Sequence, residues 1–210
     1  MNDSAWISAS WLARSSLAVA PDLIGCTLAR QLASGPIYRG LIVETEAYMA
    51  GDPACHGYRK QTRRNAPMFG KAGHAYIYLI YGMYHCFNVV TDREGLASAV
   101  LIRAILPPTS LPPRPKDLKG KPERYGAGPG KLCRLFHIDR TLSGLPLQPR
   151  SGLWLEPRSP DFAQKLTQGG HQIIQTTRIG LSQGQDLPWR WYLNHCQAVS
   201  IARKSNQNMG

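Results

Sequence analysis

In the stretch LIVETEAY, an extended chain puts Glu44, Glu46 and Tyr48 on one face and Val43, Thr45 and Ala47 on the other. Two carboxylates on an apolar strand are costly to bury without partners, so they either pair with cations or one of them acts on a substrate. Arg103, in the middle of AVLIRAILP, raises the complementary question, because a guanidinium in a buried strand needs a carboxylate or a water beside it. An ion pair from Arg103 to Glu44 or Glu46 satisfies both. Glu44 reads as a structural partner in that pair. Glu46, two residues before a phenol ring and close to a basic loop, is the better candidate for a general base. Taken alone, His56 after DPAC reads as a solvated loop histidine. Asn88, polar in a hydrophobic run, is either satisfied by backbone or aimed at a ligand.

The segment AYIYLIYGMYHCFNVV carries Tyr76, Tyr78, Tyr81 and Tyr84 around Gly82. Its polar atoms are too many for a lipid-facing span. Two strand-length runs with a turn residue between them predict a β-hairpin. With period two, Tyr76 and Tyr78 share one face and Ile77 and Leu79 the other, so rings line one side while the opposite side packs a core.

The elements that must position these groups fit one domain over residues 1–210, with loose ends expected at about 1–8 and 204–210. Hydrophobic residues make up 43% of the 210, enough for a real core. The 25 Lys and Arg against 13 Asp and Glu leave a formal charge of +12, which favours a polyanionic partner such as nucleic acid over a merely soluble basic surface. Five cysteines without CxxC spacing suggest free thiols rather than a disulfide framework or zinc ribbon, and no metal site is expected. The opening MNDSAWISAS lacks the basic and apolar regions of a leader, so the cytoplasm is the expected compartment, or the nucleus in a eukaryote.

Along the chain, an amphipathic opening at residues 11–18 precedes a short helical turn expected from Pro21 to Gly25. CTLARQL and PIYRGLIVETEAY predict an antiparallel pair around ASGP. Residues 50–73 form a long basic loop, and ASAVLIRAILP a buried strand that stops at Pro107. A Pro-rich surface connection follows, then a helix from about Lys131, then strands at GLWLEP, QIIQTTRIGL, WRWYL and AVSIAR. GAGPGK is not a P-loop, because Tyr125 and Leu132 stand where Gly and Ser or Thr are required. Gly128 to Lys131 could still meet one backbone phosphate, or be a solvated turn.

Together IVETEAY, DPACHGYR, QTRRN, MF, GHAYIYLIYGM, CFN, LIRA and GPGKLC resemble, in order and spacing, the alkyladenine DNA glycosylase family, the mammalian-type 3-methyladenine DNA glycosylases. The resemblance spans about residues 17–203. It implies a single-domain α+β fold around a curved, mainly antiparallel sheet with a protruding tyrosine-rich hairpin. It also implies a monomer that excises damaged purines from double-stranded DNA with no cofactor, metal or membrane. Enzymes acting on a base must take it out of the stack, and something must fill the gap. On this resemblance Tyr81 is the intercalating wedge and Met83 packs near the lesion. Tyr78 would stack on one side of the flipped base, with Tyr48 and His56 on the other. Glu46 matches the water-activating base and Arg103 the arginine that helps hold that water, with the Ile179 carbonyl completing its site. Asn88 matches the residue that crowds the 2-amino group of guanine. Thr62, Arg64 and Lys131 match DNA-backbone contacts. Departures are Arg63, where the family commonly has proline, and Lys71-Ala72 before Gly73.

Two other readings fit the composition. A non-catalytic nucleic-acid module could use the aromatic face and basic rim. A hydrolase of free nucleosides would need neither the wedge nor so much positive charge. The carboxylates and arginine within apolar strands favour catalysis, because an acidic group weakens simple phosphate binding.

Overall fold

The computed structural model describes residues 6–33, 35–113 and 118–201. Two short helices, α1 (Ala9–Leu12) and α2 (Ser16–Leu23), lead into β1 (Thr27–Gln31) and β2 (Ile37–Met49). The hairpin strands β3 (Ala75–Ile80) and β4 (Tyr84–Val90) follow, then β5 (Ser98–Leu106), α3 (Pro129–Leu135), β6 (Leu153–Glu156), α4 (Pro160–Thr167), β7 (Ile173–Thr176) and β8 (Arg190–Leu193). All pairings are antiparallel, and the path β3-β4-β5-β2-β1-β6 forms one curved sheet, with β8 joining β2 and β7 joining β8.

Strand β2 is the hub. Leu41 faces Thr27 of β1 and Leu106 of β5, while Glu46 faces Leu101 of β5 and Arg190 of β8. So β1 and β8 occupy successive stretches of one edge, and β5 lines the other from Leu41 to Met49. Between Ile42 and Thr45 the register shifts twice, leaving Val43 on β2 and Arg103 on β5 without opposite partners. Such bulges bend a strand and re-aim side chains, and these lie at the two carboxylates.

One face of the sheet packs Ile77, Phe87, Val89, Val100 and Ile102 into the main core with α2 and α3. Val19 and Leu23 of α2 and Leu132 and Leu135 of α3 are fully buried there. The other face holds a smaller cluster of Cys55, Met68, Tyr76 and Val90, with Tyr48 and Tyr78 against it. The alternation of the tyrosine hairpin is borne out: Ile77 belongs to the first cluster, Tyr76 and Tyr78 to the second.

Several local readings need correction. The helix expected to begin at Pro21 begins at Ser16, because Ser15 Oγ accepts the amide of Ala18 and caps it a turn earlier. Pro21 sits inside, and Gly25 at φ +86° follows the helix end. Helix α3 starts at Pro129 rather than Lys131, with proline in the first turn where a missing N–H costs least. Helix α4 escaped the sequence reading, although Ser159 before Pro160 is a start signal and Ser159 Oγ accepts the Phe162 amide at 3.1 Å. QIIQTTRIGL is a strand only to Thr176, and residues 198–201 of AVSIAR are turn and bend. Residues 1–5 and 202–210, most of the ends expected to be loose, lie outside the described residues, whereas Ile7 is buried and donates its amide to Leu155. In the basic loop 50–73, Asn65 accepts the Thr62 amide at 2.6 Å and donates to the carbonyls of His56 and Lys60.

Candidate active site

Residues directly opposite across antiparallel strands share a face. The register runs Tyr76, Asn88, Leu101, Glu46, Arg190 from β3 through β4, β5 and β2 to β8. Tyr78 pairs with Cys86, and Tyr48 with Ala99, on that same face. Strand pairing thus lays the hairpin rings and the ETEAY carboxylates along one face of the sheet.

At its centre Glu44 and Glu46 are fully buried and share Arg103, whose Nε donates to Glu44 Oε1 and Nη1 to Glu46 Oε2, both at 3.2 Å. The sequence expectation of a pair to one or the other carboxylate resolves as both. Glu44 also accepts from Arg190 Nε at 2.7 Å, from Ser200 Oγ at 2.9 Å and from the Ser200 amide at 2.7 Å. Two arginines therefore balance two carboxylates. Burial works against the Arg103 charge, but Glu46 and Glu44 outweigh it and hold its pKa above the ordinary arginine value. Glu46 accepts from Tyr48 Oη at 2.8 Å and, on Oε1, from the Ile179 amide at 2.8 Å. The Ile179 contact visible here is made by its N–H and not by its carbonyl. Burial, then the Glu46 charge, push the Tyr48 hydroxyl far up, so it remains a donor to Glu46.

The aromatic walls are arranged differently from the sequence expectation. His56 Nδ1 lies 2.8 Å from Tyr76 Oη, and the His56 ring meets the Tyr78 ring edge-on with centroids 4.4 Å apart. A base stacked between two rings needs about 7 Å, twice a carbon contact. His56 and Tyr78 therefore form one wall and leave Tyr48 as the ring on its own. His56 is exposed overall, but partial desolvation of its ring against Tyr76 and Tyr78, helped by Arg64, lowers its pKa below the ordinary 6.5, which keeps the imidazole neutral at neutral pH. The folded state then binds fewer protons than the unfolded chain once pH falls under 6.5, so this group's contribution is complete above that value and lost below it. Urea titrations of His56→Gln should show a shallower fall in stability with acid than the native chain, and equal slopes would refute the assignment.

At the hairpin tip the Met83 amide donates to the Ile80 carbonyl, and Tyr81 (φ +53°) and Gly82 (φ +69°) both take left-handed backbone, as a type I′ turn requires. Tyr81 is 81% exposed and Met83 64%. A tyrosine in this conformation stores about 1–2 kcal/mol, so Tyr81→Gly should raise thermal stability while weakening binding to damaged duplex. Unchanged lesion affinity would exclude Tyr81 as a wedge. A cleft of about 520 Å³ beside the tip is lined by Tyr81, Tyr84, Arg103, Lys131 and Ile179, which joins the hairpin tip, the buried arginine and the start of α3.

Asn88 is 4% exposed and donates Nδ2 to the carbonyls of Tyr76 (3.0 Å) and Cys86 (3.3 Å), so backbone fixes its orientation. Arg64 Nη2 donates to the Leu79 carbonyl at 3.1 Å, tying the basic loop to the hairpin. Thr62 and Arg64 line a second cleft, of about 480 Å³, with Arg59, Lys60, His56 and Tyr76. Among the described residues no group of three His, Cys, Asp or Glu is placed to hold a metal ion, and no helix is long and apolar enough to cross a membrane.

Four contributors were missed in the sequence: Asp52, Arg178, Arg190 and Ser200. Arg190 could have been found by the reasoning used for Arg103, since WRWYL is also an apolar strand with a charge in it. Nothing local marks the other three, which lie outside the helices and strands.

Comparison with known proteins places residues 10–197 in the family model described as Methylpurine-DNA glycosylase. A relative from Trichodesmium erythraeum is 55% identical over 201 residues, covering 92% of this chain and 96% of its own. One from Synechococcus sp. is 49% identical, with 94% and 98% covered. Another, from Carboxydothermus hydrogenoformans, is 45% identical, with 90% and 95% covered. All three are provisionally named 3-methyladenine DNA glycosylase.

Proposed function

The chain belongs to the methylpurine-DNA glycosylase family of DNA N-glycosylases, and from that premise we propose that it turns damaged purines out of duplex DNA and hydrolyses their N-glycosidic bond with a water activated by Glu46. The observation that carries this reading is the state of Glu46: a buried carboxylate at the floor of an aromatic surface, held by donors from three separate segments. Tyr48 and Arg103 take Oε2, and the Ile179 amide takes one side of Oε1. A carboxylate has about four lone-pair sites, so one remains on Oε1 for a water entering past Arg103 and Ile179.

That water attacks C1′ as the bond to the purine breaks. Its proton passes to Glu46, and the bonding pair leaves with the base. The fixed negative charge also stabilises the sugar cation that develops on the way. An N3- or N7-alkylated purine is cationic and departs neutral, and its charge gains from the faces of Tyr48, Tyr78 and His56. Hypoxanthine or ethenoadenine has no such charge: its base leaves as an anion unless it is protonated, so it demands more both of a proton donor and of the Glu46-activated water. Tyr81 fills the gap in the duplex. Thr62, Arg64 and Lys131 lie at the cleft rims, where strand phosphates pass. The free thiols of the chain suit a reducing cytoplasm.

The test is base release from duplex oligonucleotides carrying a 3-methyladenine analogue, 7-methylguanine, ethenoadenine or hypoxanthine. Release leaving an abasic site is expected for at least the alkylated bases. Binding of lesion duplex without release of any base would leave the binding-module reading standing instead.

A further inference from the structure

Arg178 stands outside the reacting groups, yet two of the three holds on the Glu46 carboxylate run through it. Its side chain and that of Asp52 are fully buried as an ion pair, with Nη2 donating to Asp52 Oδ1 at 2.8 Å and Nη1 to Oδ2. Nη1 also donates to the Ala47 carbonyl at 3.0 Å, and Nη2 to the Gly184 carbonyl at 3.2 Å. The guanidinium carbon lies 4.7 Å from the centre of the Tyr48 ring and 5.1 Å from that of Trp189. One side chain therefore ties the end of β2, the loop after it and the segment 178–189 together.

The consequence for Glu46 follows from chain connectivity. The residue after Arg178 is Ile179, whose amide holds Glu46 Oε1, so fixing Arg178 fixes that donor. The ring stacked on Arg178 is Tyr48, whose hydroxyl holds Oε2. Tyr48 is also the ring of the smaller cluster that stands apart from the His56–Tyr78 contact. A buried, forked guanidinium with four acceptors and two ring faces has one geometry, which a lysine cannot reproduce.

We propose that Arg178 is a positioning residue for excision, setting the general base and the Tyr48 wall as one rigid unit, an inference that rests on the excision reading above. A displacement of about 1 Å at a reacting group costs on the order of 100-fold in rate. Affinity for the lesion duplex comes largely from phosphates and from the other rings, and moves far less. Neutral lesions, which rely most on a well-placed carboxylate, should suffer more than cationic ones.

The experiment measures single-turnover release and duplex affinity separately for the native chain, Arg178→Met and Arg178→Lys, with hypoxanthine and 7-methylguanine duplexes and a melting curve for each protein. Arg178→Met should lose about 100-fold in release of hypoxanthine, less for 7-methylguanine, with much of the affinity kept. Arg178→Lys, which keeps the charge beside Asp52, should recover part of the rate. Native-like release by a folded Arg178→Met overturns the proposal, as does a rate loss matched by an equal loss of affinity. Should Arg178→Met not fold, Arg178→Lys decides alone: native-like release overturns the assignment, and slowed release with kept affinity supports it. No release by the native chain overturns both this inference and the excision reading, whereas native-like release by the native chain and by both variants overturns this one only.

Discussion

Glu46→Gln is expected to slow base release by about 10²–10⁴-fold, the range that a positioned general base supplies. The substitution is close to isosteric, so the effect is electronic. The amide it introduces carries no charge to accept the water's proton or to face the developing sugar cation. That amide also fits the site poorly, because Tyr48 Oη, Arg103 Nη1 and the Ile179 amide all donate, and an NH2 group must face one of them. Single-turnover release from the four lesion duplexes, alongside binding of the same duplexes, checks it. Glu44→Gln is the matched control: it removes a carboxylate bound by Arg103, Arg190 and Ser200 and should lower stability more than rate. Release by Glu46→Gln within tenfold of native would take the role of base away from Glu46.

Removing Arg103 should have the largest effect on folding. Among the described residues, Arg103→Ala leaves Glu44 with Arg190 as its cation and Glu46 with no ion-pair partner, both fully buried. Breaking a buried ion pair from one side costs about 3–5 kcal/mol, because the remaining charge stays desolvated. That is a large share of a typical domain's stability. Urea unfolding measures the loss, and a change under about 1 kcal/mol would mean that the cluster lies open to bulk solvent, well beyond the single water that Glu46 needs, and is not the buried unit described. Glu44→Gln/Arg103→Met should be less destabilised than the sum of the singles, since it removes two members of the cluster together.

Much of this was legible in the chain because it depends on local rules. Period-two alternation put Glu44 and Glu46 on one face and separated Tyr76 and Tyr78 from Ile77, and the sheet keeps both assignments. The turn at Tyr81-Gly82 was readable from composition, as was the end of β5 before Pro107. Burial cost alone foretold that Arg103 would pair with the ETEAY carboxylates. Local signals failed where competing ones overlapped, as at Pro21, where the cap from Ser15 started the helix earlier.

By itself, then, the sequence determined most of the strands, the hairpin, the burial of Glu44, Glu46 and Arg103, and the family. What the tertiary structure decided is which groups meet. Arg103 reaches both carboxylates because a bulge gives it no partner on β2, and a register shift is set by pairing with a strand more than fifty residues away. His56 joins Tyr78 on one wall because a loop folds back onto β3, and loop paths answer to packing rather than to periodicity. Ile179 and Ser200 reach the carboxylates, and Arg178 reaches Asp52, from segments outside the helices and strands, where no repeat in the chain reports direction. Charge cost says that a buried carboxylate must have partners; only the fold says which.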